Sequence, residues 1–384
     1  MRIIIFVYLF SFLLFSQDFG CKLEIYKEKD YERINAKNDY IEIEILPKYG
    51  GVISKYNFKN EEILFPFKIN KEEVYPGSPV FVERPNLAGY TDWIWPGGGN
   101  LRKEKYEYKI NESNKEKISV YLFNENGKIE REVVLYNNSS LVEIKVKKEF
   151  ENSFWFHPVF LVGGEFDKND FLFIPVAKTD KRVRNLTEIS EKEEIKSFHP
   201  VETNYFYIPS QGWFCIVDKM KKLVGGVLVN KEIIDKNIIF YSWNGKFNEK
   251  NGITLEVIFP EKINQIKAYL VSLKGFDSIS YISPNIALDL KLEKNKYKLG
   301  EDINFNLNIG SPKLMEKIKV KLIVGDTQKE FFFKKLTPEN CKSVKDKIRG
   351  IKKEGKYRFY FQIFKDDKLV EDFFILKEIE ICKN

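Results

Sequence analysis

The sequence predicts an all-β chain, and three observations carry the prediction. Apolar and polar residues alternate with period two over many short segments, as in Ile41-Glu42-Ile43-Glu44-Ile45. Turn-forming clusters divide these segments at near-regular spacing, among them Asn124-Glu125-Asn126-Gly127, Asn137-Asn138-Ser139-Ser140 and the stretch 248–252. Aromatic residues make up 15% of the chain, with 33 Phe and 20 Tyr, and such side chains suit a pleated, half-buried surface. Alternation buries one face of a strand and wets the other. Many short strands at this spacing build a sandwich or barrel, not a βαβ sheet.

The elements follow in order. Arg2 precedes an apolar run from Ile3 to Phe15, and Ser16-Gln17-Asp18-Phe19-Gly20-Cys21 follows. A positive start, a short apolar core and a small-residue exit describe a secretory signal peptide over residues 1–20. The run is too short to cross a bilayer comfortably. An exported protein is therefore expected, and two processings fit. Cleavage after Ser16 or Gly20 frees a periplasmic or secreted chain. Cleavage before Cys21, with lipid on its thiol, makes an envelope lipoprotein held to the membrane. Gly20-Cys21 resembles the end of a lipobox, although Asp18 and Phe19 stand where Leu and a small residue are usual.

Beyond the signal, strands are expected at 41–45, 118–123, 129–136, 141–147, 171–176, 223–229, 253–259 and 266–273. Residues 181–197, charged and poor in aromatics, read as a helix or loop. A boundary near Pro284 divides a first domain, 22–283, from a second, 284–384. In the second, Ala287 to Glu293 comes first, Tyr297 to Leu307 reads as a strand, a Gly300 turn and another strand, and Glu354 to Lys368 as a hairpin. About a hundred residues of short antiparallel strands fit one small immunoglobulin-like β-sandwich. The stretch Tyr297-Lys298-Leu299-Gly300-Glu301 resembles the opening of bacterial immunoglobulin-like modules, which implies a spacer or docking unit. The basic run 342–353 reads as a solvated loop or short helix.

Charge excludes some functions. The net charge is +7, from 63 basic and 56 acidic residues, but the two signs are interleaved, as in Glu191-Lys192-Glu193-Glu194. That pattern is a salt-laced soluble surface, and no nucleic-acid partner is expected. Of the 4 Cys, Cys215 reads as a buried core thiol; Cys341 and Cys382 can pair in an oxidising compartment and tie down the last strand. No cysteine or histidine cluster has metal-site spacing, so neither metal nor cofactor is expected. Asp167, Asn169 and Asp170 read as a turn before they read as a calcium site. Nucleotide loops, nucleophile elbows and metalloprotease helices are all missing from the sequence, which argues against phosphoryl transfer, serine hydrolysis and zinc proteolysis.

Four segments, in order, carry a resemblance. They are Leu46-Pro47-Lys48-Tyr49-Gly50-Gly51 with Val52 to Tyr56; Trp93-Ile94-Trp95-Pro96 with Gly97-Gly98-Gly99; Phe154-Trp155-Phe156-His157-Pro158-Val159-Phe160 with Gly163-Gly164; and Leu255-Glu256-Val257-Ile258-Phe259-Pro260. Together they resemble the galactose mutarotase-like (aldose 1-epimerase) superfamily over roughly residues 38–282. The resemblance implies a large antiparallel β-supersandwich for the first domain and anomer exchange at a sugar's reducing end. That reaction gives a proton to the ring oxygen and takes one from the anomeric hydroxyl, which suits a His and a carboxylate. Carried over, His157 is the acid and Glu256 the base. Epimerases also carry a His in the glycine loop; Asp92, Trp93 and Trp95 occupy that region here.

Each candidate has a plain structural reading beside the functional one. His157 can be a satisfied core residue, and Glu256 can face solvent on a half-buried strand. Trp93, Trp95 and Trp243 can stack a pyranose or fill a core. Arg84 and Arg102 can grip sugar hydroxyls or form surface ion pairs. His199 sits on an expected loop. Three functions stay open: a carbohydrate-recognising, mutarotase-like envelope protein; a non-catalytic structural or docking protein; and an accessory sandwich module of polysaccharide degradation. The first expects His157, Glu256 and the 93–99 loop to meet in one open cleft. The second expects at least one of them sealed over, and the third an elongated groove.

Overall fold

The alternating segments do become strands. The computed structural model describes residues 20–383 apart from 29, 74–80, 86–87, 96–100, 102–103, 125–127, 165, 180–189, 201–204 and 248–249. The expected signal peptide, Gly97 to Gly99 and Arg102 therefore lie outside the described residues.

Two large sheets face each other. The main path of the first, 12-stranded sheet runs Lys22–Lys27, Glu32–Lys37, Ile41–Leu46, Val52–Phe58, Tyr90–Trp95, Ser153–Phe160, Glu256–Phe259, Ile239–Ser242, Tyr205–Tyr207. The second has nine strands in the order Glu194–Phe198, Asp170–Val176, Trp213–Asp218, Leu223–Val229, Gln265–Lys274, Val142–Lys148, Ile129–Tyr136, Lys117–Asn124, Tyr106–Ser113. Neighbours pair antiparallel. Because side chains alternate, each strand commits one face to the space between the sheets. There Ile41, Ile43, Phe154, Phe156, Phe240 and Val257 of the first sheet meet Ile118, Val120, Val133, Ile144, Phe214 and Ile216 of the second in one buried core. Each such side chain contributes about 1.5–3 kcal/mol on burial.

Two smaller sheets follow. Tyr281–Ile282, Ala287–Leu292, Ile303–Gly310 and Lys342–Ile348 form one; Lys296–Lys298, Lys368–Cys382, Gly355–Lys365, Met315–Val324 and Thr327–Leu336 form the other. They share one core, with Leu288, Leu290 and Leu307 against Val320, Phe359 and Phe361. This sandwich is bonded to the first along a seam. The Ser140 amide donates to Pro312 O at 2.7 Å, Leu314 N to Asn138 O at 2.7 Å, and Lys274 N to Pro338 O at 2.9 Å.

Some local readings change. The basic run was expected as a loop or helix, yet Lys342–Ile348 is a strand at the end of its sheet. Val344 and Ile348 turn inward while Lys345 and Lys347 stay exposed, so the density of charge hid the period of two. Glu194–Phe198, expected as helix or loop, is also a strand. The stretch 253–259 divides at Leu255 into Lys250–Thr254 and Glu256–Phe259. The pairing of Cys341 with Cys382 is corrected: both are free thiols. Cys341 packs against Gly275 ahead of the four-stranded sheet's last strand, whereas Cys382 ends a strand of the other sheet beside Lys298. Cys21, the expected lipid site, is buried; its amide donates to Lys115 O at 2.9 Å, and burial pushes its thiol up to about 11.

Candidate functional site

The register of the first sheet decides what meets what. On one side of the strand Ser153–Phe160, Trp155 stands opposite Trp93 and His157 opposite Thr91. On the other, Phe156 stands opposite Val257 and Val159 opposite Thr254, a register that sets His157 across from Glu256. Glu256 in turn faces Tyr241, and Tyr241 faces Phe206. Thr91, His157, Glu256, Tyr241 and Phe206 thus form one row across five strands. Trp93, Trp155, Ile258 and Ile239 form the next row on the same side. This is the outer side of the sheet, since Phe154, Phe156, Phe240 and Val257 point into the core.

Within the row, His157 Nδ1 lies 3.0 Å from Glu256 Oε1. The indole Nε1 of Trp243 donates to the same oxygen at 2.8 Å. Trp93 stacks on the imidazole, with ring centroids 4.2 Å apart and planes at 29°, and its Nε1 donates to Thr91 Oγ1 at 2.8 Å. Both dyad residues are covered: His157 is 0% and Glu256 1% exposed. The structure brings the two together with Trp93, buried and not in the open cleft expected, while residues 96–99 of the expected loop lie outside the described residues. The Nδ1–Oε1 contact has ion-pair distance without hydrogen-bond geometry, and His157 Nε2 and Glu256 Oε2 have no hydrogen-bond partner among the described residues. Buried polar atoms are ordinarily paired, so these two atoms mark a place where a polar group can bind. A carboxylate beside one ring nitrogen orients an imidazole and leaves the other nitrogen to exchange a proton.

Asp92 does not join this group, and its expected place among the sugar-binding residues is corrected. It alternates with Thr91 and Trp93 and so points to the opposite side, into the core. There its Oδ2 lies 3.2 Å from Arg131 Nη1, and Tyr90 donates its hydroxyl to Oδ1. Arg131 Nη2 donates to the carbonyls of Gly50 and Gly51 at 2.9 and 2.6 Å. The guanidinium sits 5.4 Å from the Tyr90 ring and 5.5 Å from the Tyr106 ring. Burial raises the Asp92 carboxyl, and Arg131 and the Tyr90 hydroxyl draw it back down. The glycine pair is explained here. Gly51 has φ +60°, and a Cβ on it would fall 2.3 Å from Arg131 Nη2. Sequence reasoning missed Arg131. Its signal was an arginine at the apolar phase of Ile129, Val133 and Leu135.

The other candidates separate. Trp95 stands opposite Ser153 in the first sheet, and Arg84 opposite Asn70 in the two-stranded hairpin Ile69–Glu73 with Phe81–Pro85. Arg102 lies outside the described residues. Trp243 reaches the dyad through Glu256. His199 donates Nδ1 to Asp170 O at 2.8 Å and stacks on Phe166, a structural placement. Asp167, Asn169 and Asp170 form a turn closed by Asn169 N to Asp167 Oδ1 and Asp167 N to Asp170 Oδ2, at 2.6 and 2.7 Å. Among the described residues no group of three or more His, Cys, Asp or Glu is placed to hold a metal ion.

No protein-family model and no curated protein matches the chain. Several solved structures are similar to it. A TPR-domain containing protein from Parabacteroides distasonis is 10% identical with a TM-score of 0.45, over 65% of this chain; the chain spans about half, 47%, of that protein's length. A galactose mutarotase-like protein from Clostridium acetobutylicum is 12% identical with a TM-score of 0.44, over 67% of this chain and 99% of the other. A galactose mutarotase related enzyme from Lactobacillus acidophilus is 13% identical with a TM-score of 0.41, over 64% and 99%.

Proposed function

We propose that this protein recognises carbohydrate on the outer face of its first sheet and exchanges sugar anomers there in the manner of aldose 1-epimerases. One observation carries the reading: the buried His157–Glu256 contact of 3.0 Å, framed by the Trp93 and Trp243 indoles, with one polar atom of each partner left for a ligand. Protonated His157 gives its Nε2 proton to the ring oxygen while Glu256 Oε2 takes the anomeric hydroxyl proton. The C1–ring oxygen bond breaks and the C1 carbonyl forms. Rotation about C1–C2 and reversal of both transfers close the ring as the other anomer. The step consumes nothing, so no cofactor is required. Indole faces suit the apolar side of a pyranose, and the indole N–H groups hold the polar frame.

The same proposal places the chain outside the cytoplasm, on the strength of Arg2, the apolar run after it and Gly20-Cys21. The C-terminal sandwich, with its two sheets and single core, is read as an immunoglobulin-like spacer. The test is anomeric exchange by NMR on a panel of aldoses and uronic acids. Exchange above the uncatalysed rate that disappears in Glu256→Gln is the expected outcome. The cover over His157 and Glu256 favours one other reading, a non-catalytic docking or accessory module. That reading gains if no sugar exchanges faster and none shows line broadening.

A further inference from the structure

Thr327–Leu336 closes one end of the five-stranded sheet and pairs, among the described residues, only with Met315–Val324. The two meet at Val324 and Thr327 across the two-residue turn Gly325-Asp326, and that register runs unbroken to Ile318 and Phe333. The pair that closes such a turn exchanges both of its hydrogen bonds, and bonded and unbonded pairs then alternate. Thr327, Lys329, Phe331 and Phe333 therefore direct their backbone groups inward, and Gln328, Glu330, Phe332 and Lys334 turn theirs to the open edge. Side chains divide at the same positions. Phe331 and Phe333 pack against the core, whereas Glu330, Phe332 and Lys334 are exposed, Phe332 at 74%. The end strand of the other sheet, Lys342–Ile348, is blunted by Lys342, Lys345 and Lys347 and carries no aromatic. An exposed aromatic on a free edge ten residues long is instead a template for another strand.

We propose that this edge pairs with the same edge of a second copy of the chain, antiparallel and two-fold about Phe332. The sequence is self-complementary in that register. Phe332 meets Phe332 and, twice each, Glu330 meets Lys334 and Phe331 meets Phe333. The outward backbone groups of Glu330, Phe332 and Lys334 then bond one another across the two-fold. Moving the two-fold by one residue, to Phe331 or Phe333, breaks both charge pairs. Moving it by two, to Glu330 or Lys334, sets like charges face to face. Lys329 falls opposite Lys335, but Lys329 is already paired with Asp346 at 2.9 Å, and Lys335 has Glu316 across its own ladder. The small sandwich thereby becomes a joint between copies.

The experiment is sedimentation equilibrium of the full chain over a range of concentrations, where a monomer–dimer equilibrium is expected. Glu330→Lys sets lysine against Lys334 at both ends of the pairing, and Lys334→Glu sets glutamate against Glu330. Each should weaken dimerisation about tenfold or more. Both changes in one chain should restore it. So should an equimolar mixture of the two single variants, since each then offers the charge that the other lacks. Both side chains are exposed, and circular dichroism confirms that each variant folds. A chain that is monomeric at every concentration overturns the interface. So does a dimer that neither single variant weakens, or one that the mixture fails to restore.

Discussion

Two buried acid–base pairs stand back to back on the first sheet, and their difference separates structure from chemistry. Asp92 and Arg131 join the two sheets from inside. Both Asp92 oxygens meet a partner, Arg131 Nη2 holds the Gly50-Gly51 turn, and two tyrosine rings flank the guanidinium. His157 and Glu256, on the outer side, are covered just as fully, yet Nε2 and Oε2 are left without partners among the described residues. Burial alone does not mark a functional pair. Arg131 Nε too lacks a hydrogen-bond partner among the described residues, so what sets the inner pair apart is the turn and the second sheet that its charges hold.

That comparison can be broken most forcefully at Arg131. Arg131→Met leaves Asp92 buried without its counter-charge and should cost about 3–5 kcal/mol in urea unfolding. Adding Asp92→Leu should return part of the loss. A cost below about 1 kcal/mol would remove the structural role of the pair.

A third buried acid sharpens it. Asp170, 2% exposed, faces Asp218 across the ladder, and its Oδ1 has no partner among the described residues. Burial first, then the Asp218 and Asp167 charges, push its carboxyl to about 7, against the Asp167 amide and Lys221, which lower it. Its folded value exceeds the ordinary 3.8, so the fold holds the protonated form. Its stabilisation is present below about pH 4 and is lost as pH rises towards 7, on the order of 4 kcal/mol in all. Asp170→Asn should flatten the slope of stability between about pH 4 and 7; an unchanged slope contradicts the assignment.

Gly51→Ala probes the turn that Arg131 holds. The left-handed backbone costs about 1–2 kcal/mol, and the methyl must also displace Nη2. Thermal unfolding should register both, and Arg131→Met should make the two losses less than additive. The smallest effect belongs to the outer pair. Glu256→Gln keeps the oxygen that meets Trp243 Nε1 and His157 Nδ1, so stability should change by less than about 1 kcal/mol while anomer exchange disappears.

Much of this was legible in the sequence. Period-two alternation announced the strands, and the Gly50-Gly51 bend announced a backbone that a side chain would block. His157 and Glu256 were legible as candidates through family-like segments, but only ladder register brings them opposite each other. Asp92 was misread because residue type outweighed phase: it stands between Thr91 and Trp93, and period two sends it to the other side. The Lys342–Ile348 strand was hidden for a related reason, its inward residues being outnumbered by lysines.

The most direct measurement is the ring ¹⁵N spectrum of the histidines. The chain has 2 His, so His199→Gln assigns the pair. With a glucose or galactose series added to saturation, the account expects the His157 Nε2 resonance to move as it gains a partner, and Nδ1 to hold its contact with Glu256. A sugar that binds without moving Nε2 would contradict the claim that His157 works on the ligand.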